Sequence, residues 1–287
     1  MADSVSLRAY AKINLNLDIT GKSGDESYHT VEMVMQSVDI YETVTVSIQE
    51  EISIKCNGDV PEDENNIAVK AAKEFFKFTE IDGGAEIKIK KRIPVAAGLG
   101  GGSYDASAVI VALNQLYNAK LDNEELEKIA EKVGSDVPFF IEGGTQLAEG
   151  RGTILTPLPE LPECAFLIIK DGYKPSTAEM YRRFDDMVDI IHPDTRALVD
   201  AICEGDLVEA SKNMENVFEL LYNKEFLKTK EELVENGALC ACLSGSGPSI
   251  FGLFEDIDEA KRAKDELSEK YDNIFLCEPI RLGTEEN

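Results

Sequence analysis

The stretch Pro94-Val95-Ala96-Ala97-Gly98-Leu99-Gly100-Gly101-Gly102-Ser103 says most about how this chain folds. It follows residues 85–92, where apolar and basic side chains alternate with the period of a β-strand. Beyond it, apolar residues recur at helical spacing from Ala106 to Leu116. Glycines let backbone N–H groups approach a ligand, and the start of a helix attracts anions. The sequence therefore predicts a phosphate loop between a strand and a helix, with a flexible turn as the alternative.

Two common phosphate-binding motifs do not match this loop. No Gly-Lys-Ser/Thr follows at the place that a Walker A sequence requires. The third glycine of a dinucleotide fingerprint is out of register, and no acidic residue ends a second strand at the right distance. Ser103 adds a hydroxyl that can serve phosphate or Mg²⁺.

The remaining elements continue a mixed pattern on both sides of the loop. Asn66 is a good cap for a helix that starts at Ile67. Strands are predicted over residues 44–48, 52–55, 85–92, 165–169, 238–243, 249–254 and 274–282, and further helices over 124–133, 193–204, 207–222, 225–235 and 258–271. This order predicts an α+β fold in two layers. The proline-rich stretch around Pro157 predicts a boundary between residues 1–156 and 157–287.

Composition limits the partners and the compartment. The 287 residues contain 29 Lys and Arg against 55 Asp and Glu, a formal charge of -26. Clustered cations are what hold nucleic acids, so this charge disfavours nucleic acid and anionic membranes as partners. No apolar stretch is long enough to span a bilayer, and the first residues contain no signal-peptide core. The pair Cys240 and Cys242 is spaced C-x-C, which favours small residues of a buried strand over a zinc site. We expect a cytoplasmic protein.

Three motifs resemble those of the GHMP superfamily of small-molecule kinases, named after galactokinase, homoserine kinase, mevalonate kinase and phosphomevalonate kinase. They are Ala9–Leu15, Pro94–Asp105 and Leu243–Ser249, in that order along the chain. The resemblance implies a two-domain architecture. Its N-terminal layer would be like the second domain of ribosomal protein S5, and its C-terminal half would be a ferredoxin-like α/β sandwich.

Within that superfamily, Tyr28–Glu32, Met35–Ser37, Gly134–Phe140 and Gly143–Thr145 are similar to the family of kinases that act on 4-diphosphocytidyl-2-C-methyl-D-erythritol. The resemblance implies ATP-dependent phosphorylation of the 2-hydroxyl of that compound in non-mevalonate isoprenoid synthesis, by a monomer or weak homodimer. Two alternatives stay open. One is a GHMP kinase for another alcohol, such as homoserine or mevalonate, and the other is a nucleotide-binding paralogue without catalysis.

The resemblance assigns the catalytic roles to Lys12 and Asp136. Asp136 would accept the proton of the substrate hydroxyl as it attacks the γ-phosphate. Lys12 would hold the alcohol and offset the charge that grows on the transferred oxygens. Without the family, a lone lysine beside a strand is usually solvated, and an aspartate before Val-Pro is usually a turn residue.

The resemblance also implies an ATP site and a substrate site. Residues 94–104, including Tyr104, would hold ATP, with Asn66 and Lys91 near the nucleotide; Mg²⁺ would bridge ATP oxygens, and Ser103 is the one side chain expected to reach it. Lys91 is alternatively one solvated charge of the run from Lys88 to Arg92. Asn14, Tyr28, His29 and Tyr181 would bind substrate, the tyrosines by stacking on cytosine and His29 by hydrogen bonds. A core aromatic and a structural histidine are the alternatives.

Three positions depart from the family pattern. Tyr104 replaces a second serine after the glycines, and Ser107, one helical turn from Ser103, stands where the family usually has alanine. Residues 170–175 lack the usual apolar run before Ser176. Each departure falls on a segment that the resemblance assigns to ATP or to cytidine.

Overall fold

The computed structural model describes residues 3–24, 28–58, 60–172 and 176–286. Strands and helices follow one another as β1 (Ser4–Lys22), β2 (His29–Gln49), β3 (Ser53–Cys56), α1 (Ile67–Thr79), β4 (Gly84–Lys90), α2 (Gly102–Leu116), α3 (Asn123–Val133), α4 (Phe139–Glu142), β5 (Thr145–Gly150), β6 (Ile154–Pro157), β7 (Ala165–Lys170), α5 (Thr177–Asp185), α6 (Thr195–Glu204), α7 (Leu207–Lys212), α8 (Lys224–Glu235), β8 (Cys240–Leu243), β9 (Ser249–Phe254), α9 (Ile257–Leu267), β10 (Ile274–Cys277) and β11 (Thr284–Glu286). None of the helices in the described part of the chain is long and apolar enough to cross a membrane.

The first sheet is built around the long antiparallel pair β1 and β2. Its strand order is β11-β1-β2-β4-β3, and β5 pairs with the first half of β2 and with β6. The register between β1 and β2 shifts between Asn14 and Asn16. Such a bulge adds a residue and re-aims its neighbours, and bulges are common beside active sites. This one lies two residues after Lys12.

Helix α2 forms the centre of the core. It packs against β1, β2, α1 and α3, and its buried residues surround the whole helix rather than one stripe. Helix α1 starts where the sequence predicts, since the Asn66 side chain accepts a hydrogen bond from the Ala68 N–H. The long hydrophobic helix that follows the glycine loop is thus enclosed, and only its first turn adjoins the cavity described below.

The second sheet is antiparallel, in the order β10-β7-β9-β8, and helices α8 and α9 pack on it. Cys242 is fully buried in β8 and Cys240 partly buried. The prediction of a buried strand around these cysteines is confirmed. Among the described residues, no group of three or more His, Cys, Asp or Glu side chains is arranged to hold a metal ion.

Two predicted elements were wrong in extent. The helix expected over residues 207–222 ends at Lys212, and a short 3₁₀ helix follows at Val217–Leu221. Asn216 fixes the start of the 3₁₀ helix, because its side chain accepts from Phe218 N–H and donates to the carbonyls of Leu243 and Gly245. The strand expected over 274–282 ends at Cys277.

The mixed α+β class is confirmed, and the domain boundary at 156/157 stays a prediction. The last strand, β11, pairs antiparallel with β1 of the first sheet. The C-terminal end of the chain therefore lies on the sheet that carries the N-terminal strand.

Candidate active site

The glycine loop adopts a backbone that residues with side chains rarely reach. Gly98, Gly100 and Gly101 have φ values of +81°, +99° and +49°. Gly101 is the N-cap of α2 and offers no side-chain cap to the first N–H groups of that helix. A Cβ added at Gly101 would have no atom of the described residues within 4 Å. The first N–H groups of α2 are thus open to an anion, and the binding of phosphate by this loop stays a prediction.

A second glycine-rich turn, between β8 and β9, supports the loop from the other half of the chain. Ser244 Oγ donates to the Gly98 carbonyl at 2.9 Å, and Ser249 N–H donates to the Ala97 carbonyl at 3.2 Å. A Cβ at Gly98 would lie 2.3 Å from the Ser244 carbonyl oxygen. The two turns therefore pack backbone to backbone, which requires glycine at position 98.

Lys12 and Asp136 meet beside the loop. Lys12 Nζ lies 3.9 Å from Asp136 Oδ2, and Lys12 N–H donates to the Leu99 carbonyl at 3.1 Å. The Lys12 side chain is 4% exposed and that of Asp136 37%. Burial lowers the pKa of Lys12, and the Asp136 carboxylate opposes that shift. An ammonium at the end of a buried stem thus faces a carboxylate that the cavity can reach.

Asn14 orients the Lys12 ammonium. Lys12 Nζ donates to Asn14 Oδ1, and Asn14 Nδ2 donates to Met33 Sδ at 3.2 Å. Asn14 N–H donates to Ser244 Oγ at 3.3 Å. Because the amide of Asn14 is held at both ends, its oxygen fixes the position of the Lys12 ammonium.

A cavity of about 860 Å³ opens between the loop, β1 and α5. This is the size of a site for a nucleotide-sized ligand. Among the predicted site residues, its lining includes Lys12, Asn14, Tyr28, His29, Ala96, Ala97, Gly98, Gly100, Gly101, Ser103, Asp136 and Tyr181. The cavity lining does not include Pro94, Val95, Leu99, Gly102, Tyr104, Asn66 or Lys91.

The aromatic end of the cavity differs in detail from a simple pair of stacking rings. His29 stacks on Tyr181 with ring centroids 4.7 Å apart, and the Arg151 guanidinium lies 3.6 Å from the centroid of the Tyr28 ring. Burial, followed by the charge of Asp136, raises the pKa of Tyr181, so its phenol is neutral. The faces expected to hold a base are covered by His29 and Arg151 in this structure.

Sequence reasoning missed Arg151 and Asp185. Arg151 lies between two glycines in the turn from β5 to β6, and Asp185 follows Tyr181 by one helical turn in α5. Asp185 Oδ1 lies 2.8 Å from His29 Nε2, and its other oxygen accepts from Lys22 at 2.9 Å. The hydrogen bond with His29 is the main reason why the pKa of Asp185 is lowered, and the bond from Lys22 acts in the same direction. A carboxylate only accepts, so His29 Nε2 carries the hydrogen. The available signals in the sequence were the glycines on both sides of Arg151 and the i, i+4 spacing of Tyr181 and Asp185.

Tyr104 lies in the core and does not reach the cavity. Its ring is 1% exposed and packs edge-on against Phe140 with centroids 5.8 Å apart. Burial, then the carboxylates of Glu42 and Asp105, raises the pKa of Tyr104. The structure thus places the Tyr104 side chain outside the cavity lining, and a contact of residue 104 with ATP stays a prediction. The departure from serine fills space behind the loop and leaves the phosphate side open.

Lys91 is buried in a charge cluster, here called the Lys91 cluster and consisting of Glu42, Lys91 and Asp105. Lys91 Nζ lies 2.5 Å from Glu42 Oε2 and 2.8 Å from Asp105 Oδ2. Its side chain is 8% exposed. The alternative of a solvated charge is wrong, because the carboxyl groups of Glu42 and Asp105 bind the ammonium inside the protein. In this geometry Lys91 Nζ binds Glu42 and Asp105, and Lys91 does not line the cavity.

Asn66 and Ser107 also have positions that the sequence left open. The Asn66 side chain caps α1 and donates to the Pro61 carbonyl at 2.7 Å, so both of its polar atoms are engaged away from the cavity. Ser107 is fully buried in α2 and does not line the cavity. Of the segment 170–175, residues 173–175 lie outside the described part of the chain.

The Lys91 cluster predicts a pH dependence of stability. Burial raises the pKa of Asp105 to about 8; Lys91 opposes the shift and Glu42 adds to it. Three titratable groups face Asp105, namely Glu42, Lys91 and Tyr104. Lys91 and Tyr104 keep their protons over this range, because the pKa of each is raised as well. In the unfolded chain Asp105 loses its proton near pH 4. Between about pH 4 and pH 8 the folded protein thus binds more protons, and Asp105 lowers the free energy of unfolding as pH rises.

We therefore expect Asp105→Asn to become more stable relative to the parent as pH rises from 4 to 8. The difference should grow by on the order of 1 kcal/mol per pH unit at most. Urea unfolding at pH 5 and pH 8 measures it, with the exposed Asp200→Asn as the matched control. A difference that stays constant over this range would show that Asp105 does not hold a proton in the folded protein.

Comparisons with known proteins agree with this geometry. Residues 66–144 match the GHMP kinases N terminal domain, and residues 198–273 match the GHMP kinases C terminal family. A 4-diphosphocytidyl-2-C-methyl-D-erythritol kinase of Clostridium botulinum is 41% identical over 95% of this chain and 99% of the relative. A kinase of the same name from Thermoanaerobacter pseudethanolicus is 39% identical over 98% of each chain.

Solved structures give the same result at the level of the fold. The crystal structure of a 4-(cytidine 5'-diphospho)-2C-methyl-D-erythritol kinase has a TM-score of 0.76 and 29% identity, and the match covers 96% of this chain and 98% of the other. A homoserine kinase from Cytophaga hutchinsonii has a TM-score of 0.80 at 20% identity, over 99% and 98% of the two chains, and shares the fold alone. The TM-scores of these two structures are similar, and it is their sequence identity to this chain that distinguishes them. On the evidence of its motifs, its paired Lys12 and Asp136 and these relatives, the chain belongs to the 4-diphosphocytidyl-2-C-methyl-D-erythritol kinase family of GHMP kinases.

Proposed function

We propose that the chain transfers the γ-phosphate of ATP to the 2-hydroxyl of 4-diphosphocytidyl-2-C-methyl-D-erythritol, a step of non-mevalonate isoprenoid synthesis. One observation carries the proposal: Lys12 and Asp136 lie 3.9 Å apart at the open start of α2. Phosphoryl transfer needs a cradle for phosphates, a base for the alcohol and a cation for developing charge. The loop, Asp136 and Lys12 supply these three parts.

In this mechanism the main-chain N–H groups at the start of α2 hold the phosphates of ATP. Asp136, the more accessible of the two charged groups, accepts the proton of the attacking hydroxyl. Lys12 donates toward the transferred oxygens and stabilises their charge in a site with little water. Asn14 keeps the ammonium in place through the bond between Lys12 Nζ and its Oδ1.

The loop is also compatible with Mg²⁺ carried by ATP. Mg²⁺ usually keeps waters and binds phosphate oxygens with one or two protein groups. Ser103 lines the cavity in the first turn of α2, where its hydroxyl is the side chain best placed to contribute. When bound, the ion neutralises charge on the transferring phosphates.

The far end of the cavity favours a substrate with a base and a diphosphate. Tyr28, His29 and Tyr181 line that end, and a base would stack there by displacing Arg151 from Tyr28 or His29 from Tyr181. Homoserine and mevalonate have no base to bind. Arg151 and Arg182, which also line the cavity, bring positive charge to a chain with a formal charge of -26. Local cations of this kind are what an acidic protein needs to attract an anionic substrate. We propose that the protein acts in the cytoplasm; its state as monomer or weak homodimer stays a prediction.

An ATP-consumption assay with three alcohols tests the proposal. We expect turnover with the cytidyl substrate and none above background with homoserine or mevalonate. Turnover of homoserine or mevalonate alone would assign the chain to another alcohol. Tight nucleotide binding without turnover of any alcohol would instead identify a paralogue without catalysis.

The close packing of the two glycine turns gives a further prediction. Gly98→Ala should weaken ATP binding by about tenfold or more, roughly 1.4 kcal/mol, since a Cβ there would meet the Ser244 carbonyl at 2.3 Å. The matched control is Gly205→Ala, at a position of similar φ (+70°) with no atom within 4 Å of the added Cβ. Calorimetric titration with ATP measures the effect. Equal affinities for the two variants would show that the contact between the turns does not shape the phosphate loop.

A further inference from the structure

The two ends of the phosphate loop are attached to one buried ammonium. Before the loop, Glu42 Oε1 accepts hydrogen bonds from the N–H groups of Arg92 at 3.1 Å and Ile93 at 3.0 Å. After the loop, Asp105 lies in the first turn of α2, two residues beyond Ser103. Lys91 Nζ binds the carboxylates of both Glu42 and Asp105. The Lys91 cluster thus bridges the entry and the exit of the loop.

The cluster holds the loop from behind, on the side away from the cavity. Glu42 belongs to β2 and is fully buried, so the anchor of the loop entry is part of the rigid sheet. The Tyr104 ring, with its centroid 5.2 Å from Lys91 Nζ, covers the ammonium. Between these attachments, Gly98, Gly100 and Gly101 have no side chains with which to fix the backbone. Most of the restraint on the spacing of the loop ends must therefore come from outside the loop.

We propose that Lys91 is a positioning residue for the phosphate loop. Through Glu42 and Asp105 it fixes the distance between Arg92 and Ile93, before the loop, and the first turn of α2. The N–H groups between these two points then converge on the phosphates of a nucleoside triphosphate. The inference rests on the proposed function of the loop. It differs from a direct contact with the nucleotide, because Lys91 does not line the cavity. The Lys91 side chain acts through Glu42 and Asp105.

Binding of ATP and AMP to variants tests this inference. Lys91→Met should weaken ATP binding by about tenfold or more and change AMP binding by less than about threefold, because AMP lacks the β- and γ-phosphates. The KM of Lys91→Met for the cytidyl substrate should stay within about twofold of the parent value. Calorimetric titrations and steady-state kinetics measure these values.

Lys91→Met leaves the buried carboxyl groups of Glu42 and Asp105 without their cation and can fail to fold. The double variant Lys91→Met/Asp105→Asn also removes one of these two carboxyl groups and serves as the second measurement. We expect its melting temperature to recover toward that of the parent while its ATP affinity stays about tenfold lower. The exposed Lys88→Met, on β4 just before Lys91, is the matched control and should bind ATP as the parent does.

Two outcomes would overturn the inference. An equal loss of ATP and AMP affinity in the double variant would mean that Lys91 contacts the base or ribose. Recovery of both melting temperature and ATP affinity in the double variant would mean that the cluster only stabilises the fold. Failure of the proposed function is distinguishable from both, since the parent itself would then not bind ATP or not turn over the cytidyl substrate.

Discussion

Asp136→Ala is expected to lower kcat by about 10³-fold, within the range of about 10²–10⁴ for loss of a general base. Asp136 is the carboxylate that lies in the cavity beside Lys12, with a side chain 37% exposed. Asp136 is partly exposed, but its removal leaves the buried Lys12 ammonium without this carboxylate, so the melting temperature is measured beside the kinetics. The KM values for ATP and for the cytidyl substrate should change by a few-fold at most, since the loss is in the transition state.

Asp136→Asn separates the loss of the carboxylate from a change in the size and shape of the side chain. The amide keeps the size of the side chain but cannot take the proton of the hydroxyl. We expect a loss as large as that of Asp136→Ala, and no loss for Asp200→Ala, a surface aspartate on α6. Steady-state kinetics with the cytidyl substrate measures all three variants. Parent-like activity in Asp136→Ala would show that Asp136 is not the base that accepts the proton of the substrate hydroxyl.

Lys12→Met is expected to lower kcat by about 10²–10³-fold, the size of effect seen when one donor to a developing oxyanion is removed. Methionine matches the length of the buried stem, so the core around β1 should stay packed. The remaining Asp136 is not stranded in the core, because the cavity reaches it. Single-turnover kinetics distinguishes slow chemistry from slow product release.

Lys12→Arg and Lys55→Met complete this test. A guanidinium keeps the charge but is a broad planar fork, which does not fit the bond from Lys12 Nζ to Asn14 Oδ1. We expect Lys12→Arg to recover only a small part of the activity. Lys55→Met makes the same substitution on an exposed strand and should have parent-like kcat. Full activity in Lys12→Met would show that the ammonium has no part in the transition state.

The glycine loop was predictable because its signal is local. Alternation before residue 94 and helical spacing after residue 106 bracket the glycines, and each element can be recognised from a short window. The cap at Asn66 was predictable for the same reason. Lys12 and Asp136, by contrast, are 124 positions apart and only the resemblance to a kinase family paired them.

The Lys91 cluster was not predictable from the residues. Lys91 stands in a basic run whose other members, such as Lys88 and Lys90, are exposed. Its partner Glu42 lies 49 positions earlier, on β2. The two residues come together only when β2 pairs with β4 in the folded sheet. Strand β1 was hard to recognise because residues from Ala9 to Ile19 are all buried, on both faces, and alternation disappears in such a strand.

The return of β11 to β1 affects how the protein is made. Strand β1 leaves the ribosome long before its sheet neighbour β11, with Leu7 opposite Glu286 and Ala9 opposite Thr284 in the folded protein. During translation, at about 5–20 residues per second, this edge of β1 stays unpaired until β11 has been made. An exposed strand edge invites pairing with other chains, so a nascent polypeptide that stalls before β11 presents a surface for aggregation that the folded protein covers.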